Sequence, residues 1–476
     1  MDRMSHLDTA FAPGSIAIAG VGPITAGKCY LESLLDSGFK GSVYPIHPDG
    51  GEILGFSVYR NVKDIPNPVD YVISCIPARF TPQLIQDSAE KGVKVVSLFT
   101  SGFSETGSQD GQRLEAEIRR LAEAGGVRLI GPNCMGVYSP GAGVSFVSDF
   151  PRETGGVAFV CQSGGNTIYF VRLAAERGIR FSKAISYGNA CDVDESDLFE
   201  YLTQDSDTDI VAAYIEGVKN GDRFCQVLSR LSARKPVVVI KGGRTEAGAR
   251  TTASHTGSLA GSDAVWTSLL EQAGAIRVDT LQELVDMVVT FRSLSLPAGR
   301  KVAMVTGGGG ASVLATDACA ASGFTMPPIP VNVVEDIKGF VDNQPGLIFT
   351  NPVELNMLPE ATYRVARSML NHEGIDFMLA NCVFGQEPWP AFDFWFDNFC
   401  DTAIKVNAEV SKPVAVAIQS GLSSTEQHFR ALQQRYVDAG LPVYYSMQGA
   451  CKAIDRFMRY HARRSAEPEV AASMRS

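Results

Sequence analysis

At 476 residues, 45% of them apolar, the chain is long enough for about three globular domains at roughly 150 residues each. Its formal net charge of −10 argues against a general nucleic-acid binder, leaving only a local basic patch open, and no apolar run approaches the roughly 20 residues of a membrane helix. Ten cysteines stand singly, with no CxxC pair and no Cys/His cluster at metal spacing, and the first residues lack a signal-peptide core. A cytoplasmic protein with reduced thiols and no metal site is expected.

Taken in chain order, Ser15–Ala19 reads as a buried first strand. A glycine loop, Gly20 to Lys28, and a helix-like stretch follow. Further apolar runs recur at Ser42–Ile46, Tyr71–Ile76, Val93–Phe99 and Arg128–Ile130, with helical stretches at Pro82–Lys91 and Gln112–Ala124. Such alternation predicts a parallel sheet covered on both faces. The loop is not a strict GxGxxG, because Thr25 stands where the third glycine would be. It nearly fits GxxxxGK[ST], but Cys29 replaces the hydroxyl residue that a P-loop places on Mg²⁺. A phosphate-holding turn beside Lys28 and a tight turn with no ligand both remain open. Ile76-Pro77 and Ser101-Gly102 end neighbouring strands, and the crevice between such ends is an expected ligand site.

The pattern restarts at Gly155–Cys161 and runs through Gln162-Ser163-Gly164-Gly165-Asn166 into a helix to Arg177. Free amides at that helix start would favour an anion. Lys183–Tyr187 and Ile210–Ile215 read as strands, the latter ending in Glu216-Gly217. Glu216 is either a surface carboxylate or one that orients an imidazole. The strand Lys235–Ile240 leads through a turn-rich segment to Ser254-His255-Thr256-Gly257, after which a helix begins near Ser262. His255 stands among small residues, with room for a large group to reach it. On residue type alone it reads first as a loop histidine capping a helix.

After the linker Ser293–Gly299, Lys301–Thr306 begins a third sheet and ends in Gly307–Gly310, Ala311 and Ser312. Later strands are expected at Asp376–Asn381, Pro413–Ile418 and Val443–Tyr445. Pro388–Phe399 is dense in aromatics and reads as a core helix, a subunit contact or the wall of an acyl pocket.

The segment Lys241–Gly261 resembles the phosphohistidine segment of the NDP-forming acyl-CoA synthetases, close to ADP-forming acetate–CoA ligase α subunits and more distantly similar to succinyl-CoA ligase. Gly131-Pro132-Asn133-Cys134, Gln162–Gly165, Gly188-Asn189, Asp192–Glu195 and Glu216-Gly217 fall in the family's order. The resemblance covers about residues 10 to 465. It implies an α/β chain of three parallel-sheet domains: a Rossmann-like coenzyme A domain (1–145), a flavodoxin-like phosphohistidine domain (150–295) and a third, flavodoxin-like domain (300–465), with a frayed tail (466–476). It further implies His255 as the phosphorylated residue and Glu216 as its orienting carboxylate. Ser163, Gly164, Gly165 and Asn166, with Gly309, Gly310 and Ala311, would open two phosphate-holding helices. Coenzyme A would meet Gly20, Gly22, Pro23, Gly27, Lys28, Pro45, Ile76, Pro77, Ser101, Gly102 and Asn133. His47-Pro48-Asp49 departs from the family's Asn-Pro-Lys, and Asn351-Pro352-Val353-Glu354 from its Asn-Pro-Val-Asp.

No stretch is left for an ATP-grasp fold, so ATP/ADP with Mg²⁺ is expected on a separate ATP-grasp β subunit in a hetero-oligomer. The implied reaction joins a small carboxylate to coenzyme A with ATP cleaved to ADP and phosphate. A second reading is a non-catalytic or regulatory acyl-CoA-binding protein that kept the fold.

Overall fold

The computed structural model describes residues 5–256, 262–306, 309–339, 350–354, 359–384, 393–420 and 426–473. Two compact units divide the chain, one of Met1–Ala175 with Ile179–Leu284, the other of Glu176–Gly178 with Val285–Ser476. Among the described residues the first unit holds two large sheets and a two-stranded hairpin, and the second holds one sheet.

In the first unit, helix α1 (Ser5–Phe11) precedes β1 (Ser15–Ala19), α2 (Ala26–Asp36), β2 (Ser42–Ile46) and the small hairpin β3 (Gly51–Ile53) with β4 (Phe56–Val58). Then come β5 (Tyr71–Ser74), α3 (Thr81–Lys91), β6 (Val95–Leu98), α4 (Gln109–Gly125) and β7 (Arg128–Ile130). The strands pair in parallel in the order β2-β1-β5-β6-β7, with Ile16 opposite both Val43 and Tyr71. Every residue of β1, β5, β6 and β7 is buried, as continuous apolar runs require when helices cover both faces.

The second sheet comprises β8 (Gly136–Tyr138), β9 (Thr154–Cys161), α5 (Gly164–Ala175), β10 (Phe181–Ser186), α6 (Glu195–Gln204) and β11 (Ile210–Ile215). It continues with α7 (Gly221–Ser232), β12 (Val237–Lys241), α8 (Glu246–Thr256), α9 (Asp263–Gln272), β13 (Ile276–Val278) and α10 (Leu281–Ser293). Its order is β13-β12-β11-β9-β10-β8, and β8 is an antiparallel edge strand. Every other pair in this sheet is parallel, as the fold class expects. A three-residue strand is too short to show a period in sequence, and Gly136–Tyr138 lies here rather than with the first sheet.

The two sheets join within this unit. Arg128, its side chain 7% exposed, reaches from β7 to Asp192 at 2.8 Å and Asp197 at 2.6 Å. Asn189 donates to Glu105 at 2.6 Å and Glu115 at 3.0 Å, and its amide to the Pro132 carbonyl at 3.0 Å. The Gly131–Cys134 and Gly188–Glu195 segments thus serve as the joint.

The second unit contains β14 (Val302–Thr306), α11 (Gly309–Ala321), α12 (Val331–Lys338), β15 (Val353–Glu354), α13 (Pro359–Asn371), β16 (Phe377–Phe384), α14 (Asp393–Glu409), β17 (Val414–Ser420), α15 (Glu426–Asp438), β18 (Val443–Tyr444) and α16 (Met447–Ser473). All pairs are parallel, in the order β15-β14-β16-β17-β18. Asn351 anchors the edge: its side chain accepts from the Met304 amide at 2.9 Å and donates to the Val302 carbonyl at 2.8 Å. Of the aromatic segment, Phe396 and Phe399 are buried in the core while Phe394 is half exposed; Pro388–Phe392 lie outside the described residues.

Two boundaries differ from expectation. The units divide inside α10, not in the Ser293–Gly299 linker. The reason is local: Asp286 pairs with buried Arg177 at 2.7 Å, Thr290 with Tyr444 at 2.8 Å, and the Phe291 ring lies 5.1 Å from those of Phe457 and Tyr460. The residues expected as a frayed tail from 466 continue α16 to Ser473, since nothing between Arg464 and Ser473 breaks a helix except Pro468, near its end.

Candidate functional site

Each sheet, counted by its parallel strands, has the order 2-1-3-4-5, and its crevice lies where the chain leaves the first strand for opposite sides. In the second sheet that point falls between β9 and β11. Here Gln162 bridges the two strand ends. Its Oε1 accepts from the amides of Glu216 and, at 3.1 Å, Gly217.

Ser163 caps α5, its Oγ accepting from the Asn166 amide at 3.3 Å, while Thr167 donates to the Ser163 carbonyl at 2.7 Å. The helix therefore opens with Gly164 and Gly165 at its positive end. A Cβ on Gly165 would meet no atom within 4 Å, so the surface over those amides is open. Burial pushes the neighbouring Cys161 thiol up to about 12, which keeps it protonated.

Glu216 is 5% exposed, and its Oε1 accepts from the Tyr214 hydroxyl at 3.2 Å. Burial, reinforced by the adjacent Glu216, raises the Tyr214 pKa, so this hydroxyl remains a donor. Gly242 lies directly beneath: a Cβ there would stand 2.7 Å from the Tyr214 hydroxyl and 3.2 Å from Glu216 Cγ. Only a glycine lets the chain turn out of β12 this close to the carboxylate.

Past that turn the structure departs from the turn-rich loop expected up to His255. Glu246–Thr256 is helix α8. Thr245 Oγ1 accepts from the Gly248 amide at 3.0 Å, Glu246 pairs with Arg250 at 2.7 Å, and three alanines favour the helix over the turns that the glycines and threonines suggest. α8 lies beside the short turn Ser104–Thr106 that follows β6. The backbone of His255 belongs to the last turn of α8; its side chain and residues 257–261 lie outside the described residues.

A cavity of about 530 Å³ joins the two sheets of the unit at their carboxyl ends. Of the predicted residues it brings together Ile76, Pro77, Ser101 and Asn133 with Ser163, Gly164 and Gly165. Cys75, Phe99, Met135 and Gln162 also line it and went unassigned in sequence. Their signal was positional, since each lies within two residues of an assigned strand-end residue. Gly102 flanks this wall, but its amide donates to Glu105 at 2.5 Å. Gly309, Gly310 and Ala311 open α11 in the other unit.

The first glycine loop lies off the cavity lining. Gly20 and Val21 donate to the Ile46 carbonyl at 2.9 and 3.1 Å, and Thr25 Oγ1 accepts from Gly22 at 2.9 Å and Lys28 at 3.4 Å. Four amides that could cradle a phosphate are thus engaged within the loop. Pro45 lies within β2, and Lys28 pairs with Glu32 at 3.4 Å. Gly27 has a packing duty: a Cβ would come 2.6 Å from the Gly20 carbonyl, so α2 approaches β1 only because this residue has none. Among the described residues no group of three Asp, Glu, His or Cys side chains could hold a metal ion, and no helix is long and apolar enough to cross a membrane.

Residues 14–140 match the family described as CoA binding domain, and residues 154–291 the succinyl-CoA ligase like flavodoxin domain. The chain is 33% identical over 466 residues to the α subunit of acetate–CoA ligase [ADP-forming] I of Pyrococcus furiosus, covering 95% of this chain and 97% of that one. This chain belongs to the ADP-forming acetate–CoA ligase family. Its relatives in that family are named as ADP-forming CoA ligases, a kind of acid–thiol ligase. The acetate–CoA ligase [ADP-forming] of Methanocaldococcus jannaschii is 36% identical over 348 residues, 72% of this chain but 48% of that longer relative. In three dimensions the ligase-family chain is similar to a solved acetyl-coenzyme A synthetase 1 of Ca. Korarchaeum cryptofilum, described as a complex with phosphate and ADP, with a TM-score of 0.80, 32% identity and coverage of 96% and 97%.

Proposed function

We propose that this chain is the α subunit of an ADP-forming acyl-CoA synthetase, converting carboxylate, coenzyme A and ATP reversibly to acyl-CoA, ADP and phosphate. The observation that carries the reading is the cavity lined both by the strand-end residues Ile76, Pro77, Ser101 and Asn133 and by the start of α5 at Ser163, Gly164 and Gly165. Such a cavity suits a thioester end and a phosphate side by side.

In the synthetic direction a neutral nitrogen of His255 takes the phosphoryl group of ATP, which is held with Mg²⁺ on a separate ATP-grasp β subunit. Glu216 orients that ring and stabilises its charge. The phosphoryl group then moves to the carboxylate, giving an acyl phosphate, and the thiol of coenzyme A displaces phosphate. The amides of Gly164 and Gly165 and the Ser163 cap hold the phosphate at the positive end of α5. Gln162 fixes the distance between that helix start and Glu216. The apolar wall of Ile76, Phe99 and Met135 keeps the thioester region dry.

Incubation with acetyl-CoA and ³²P-phosphate runs the relay backwards and needs no nucleotide. The wild-type chain should acquire one acid-labile phosphoryl group, and His255→Asn none. Acid-labile label persisting on the variant would refute the assignment. Glu216→Gln should label roughly 10–100-fold more slowly, as when an orienting partner is lost, with an unchanged circular dichroism spectrum. Equal rates would remove Glu216 from the mechanism.

A further inference from the structure

Lys241 ends β12, one strand beyond Glu216, and is 2% exposed. Among the described residues its Nζ makes two hydrogen bonds, to the carbonyl of Glu216 at 2.7 Å and to that of Gly242. The Trp266 ring of α9 closes over it, 5.2 Å away. Both acceptors are backbone atoms of the residues that set the Glu216 carboxylate: Glu216 itself, and the glycine wedged under its Cγ. We propose that Lys241 is a positioning residue for the phosphoryl-transfer site, pinning Glu216 from beneath and supplying the positive charge that keeps that carboxylate and an arriving phosphoryl group together. This rests on the reading of His255 and Glu216 given above.

A filler would explain the position less well. Burying an ammonium is costly unless its hydrogen bonds and charge are used, and an aliphatic chain of the same length would fill the space under Trp266 without that cost. The charged groups facing the ammonium are Glu216 after β11 and Asp263 on α9, which favour it, and Arg277 on β13, which opposes it. Asp263 and Arg277 pair with each other at 2.5 Å, so their effects largely offset and Glu216 is the net partner. Burial lowers the Lys241 pKa to about 8 against the pull of Glu216. The charge is therefore present at neutral pH and lost on mild alkalinisation.

The test is the pH profile of labelling by acetyl-CoA and ³²P-phosphate, from pH 7 to 9.5, in the wild type, K241R and K241Q. The titration of phosphate itself is common to all three. Wild-type labelling should fall above pH 8 more steeply than phosphate ionisation accounts for. K241R keeps the charge and should lose that extra alkaline limb. K241Q keeps a donor without charge and should label roughly 10–100-fold more slowly at pH 7, again without the limb. A limb at the wild-type position in either variant, or wild-type labelling by K241Q at pH 7, would overturn the assignment. If K241R does not fold, K241Q alone decides. Absence of label on the wild type would instead bring down the reading of His255, and this proposal with it.

Discussion

At the scale of single residues, two buried glutamates of the first unit differ in what they meet. Glu216 is buried at the site and takes a hydroxyl donor, whereas Glu195, 2% exposed at the start of α6, has an Oε1 with no hydrogen-bond partner among the described residues. Burial first, and Asp194 second, push the Glu195 carboxyl up to about 8. In the unfolded chain it ionises near the ordinary carboxylate value, so between about pH 4.5 and 8 the folded state holds the extra proton. Stability from this residue is thus full below that range and is lost as pH rises through it. Glu195→Gln should match the wild type in thermal unfolding at pH 4.5 and exceed it at pH 8; an unchanged difference between the two pH values would contradict the buried acid. The sequence marked Asp192–Glu195 only as a family string. That Asp192 meets Arg128 while Glu195 Oε1 has no hydrogen-bond partner among the described residues follows from the joint between two sheets, which no local pattern encodes.

At the scale of elements, the legible features were the buried parallel strands. Ser15–Ala19, Tyr71–Ser74 and Val157–Cys161 are continuous apolar runs, and only a sheet covered on both faces buries them. Less legible was α8, whose Gly248 and threonines suggest turns until the Thr245 cap and the alanines are weighed. The glycine loop was ambiguous for a related reason. In the familiar dinucleotide loop the third glycine admits the helix to the strand, and here that duty falls two residues later, on Gly27, while Thr25 closes the loop on its own amides. Gly27→Ala should force α2 away from β1 and cost about 1–3 kcal/mol, the usual penalty of overpacking. Gly165→Ala, in open space at the start of α5, should cost under about 0.5 kcal/mol. Urea unfolding of both variants checks the contrast, and equal losses would mean that the helix–strand approach is not set by Gly27.

At the scale of the molecule, the first unit depends on the seam where β7 meets the loop before α6. Arg128 there neutralises two largely buried aspartates. Arg128→Met would take from Asp192 its ion-pair partner and leave Asp197 with Arg223, and should destabilise the unit by about 3 kcal/mol, the lower end of the loss when one member of a buried ion pair is removed; a loss below 1 kcal/mol in chemical denaturation would show the seam to be held by packing alone. The strand order 2-1-3-4-5, met three times along one polypeptide, has a genetic corollary. Each such sheet carries its ligand-facing rim as part of its own winding, so a gene can splice, divide or reshuffle these modules without redesigning any rim. Relatives such as that of Methanocaldococcus jannaschii, in which the matched residues make up 48% of a longer polypeptide, are the outcome such portability permits.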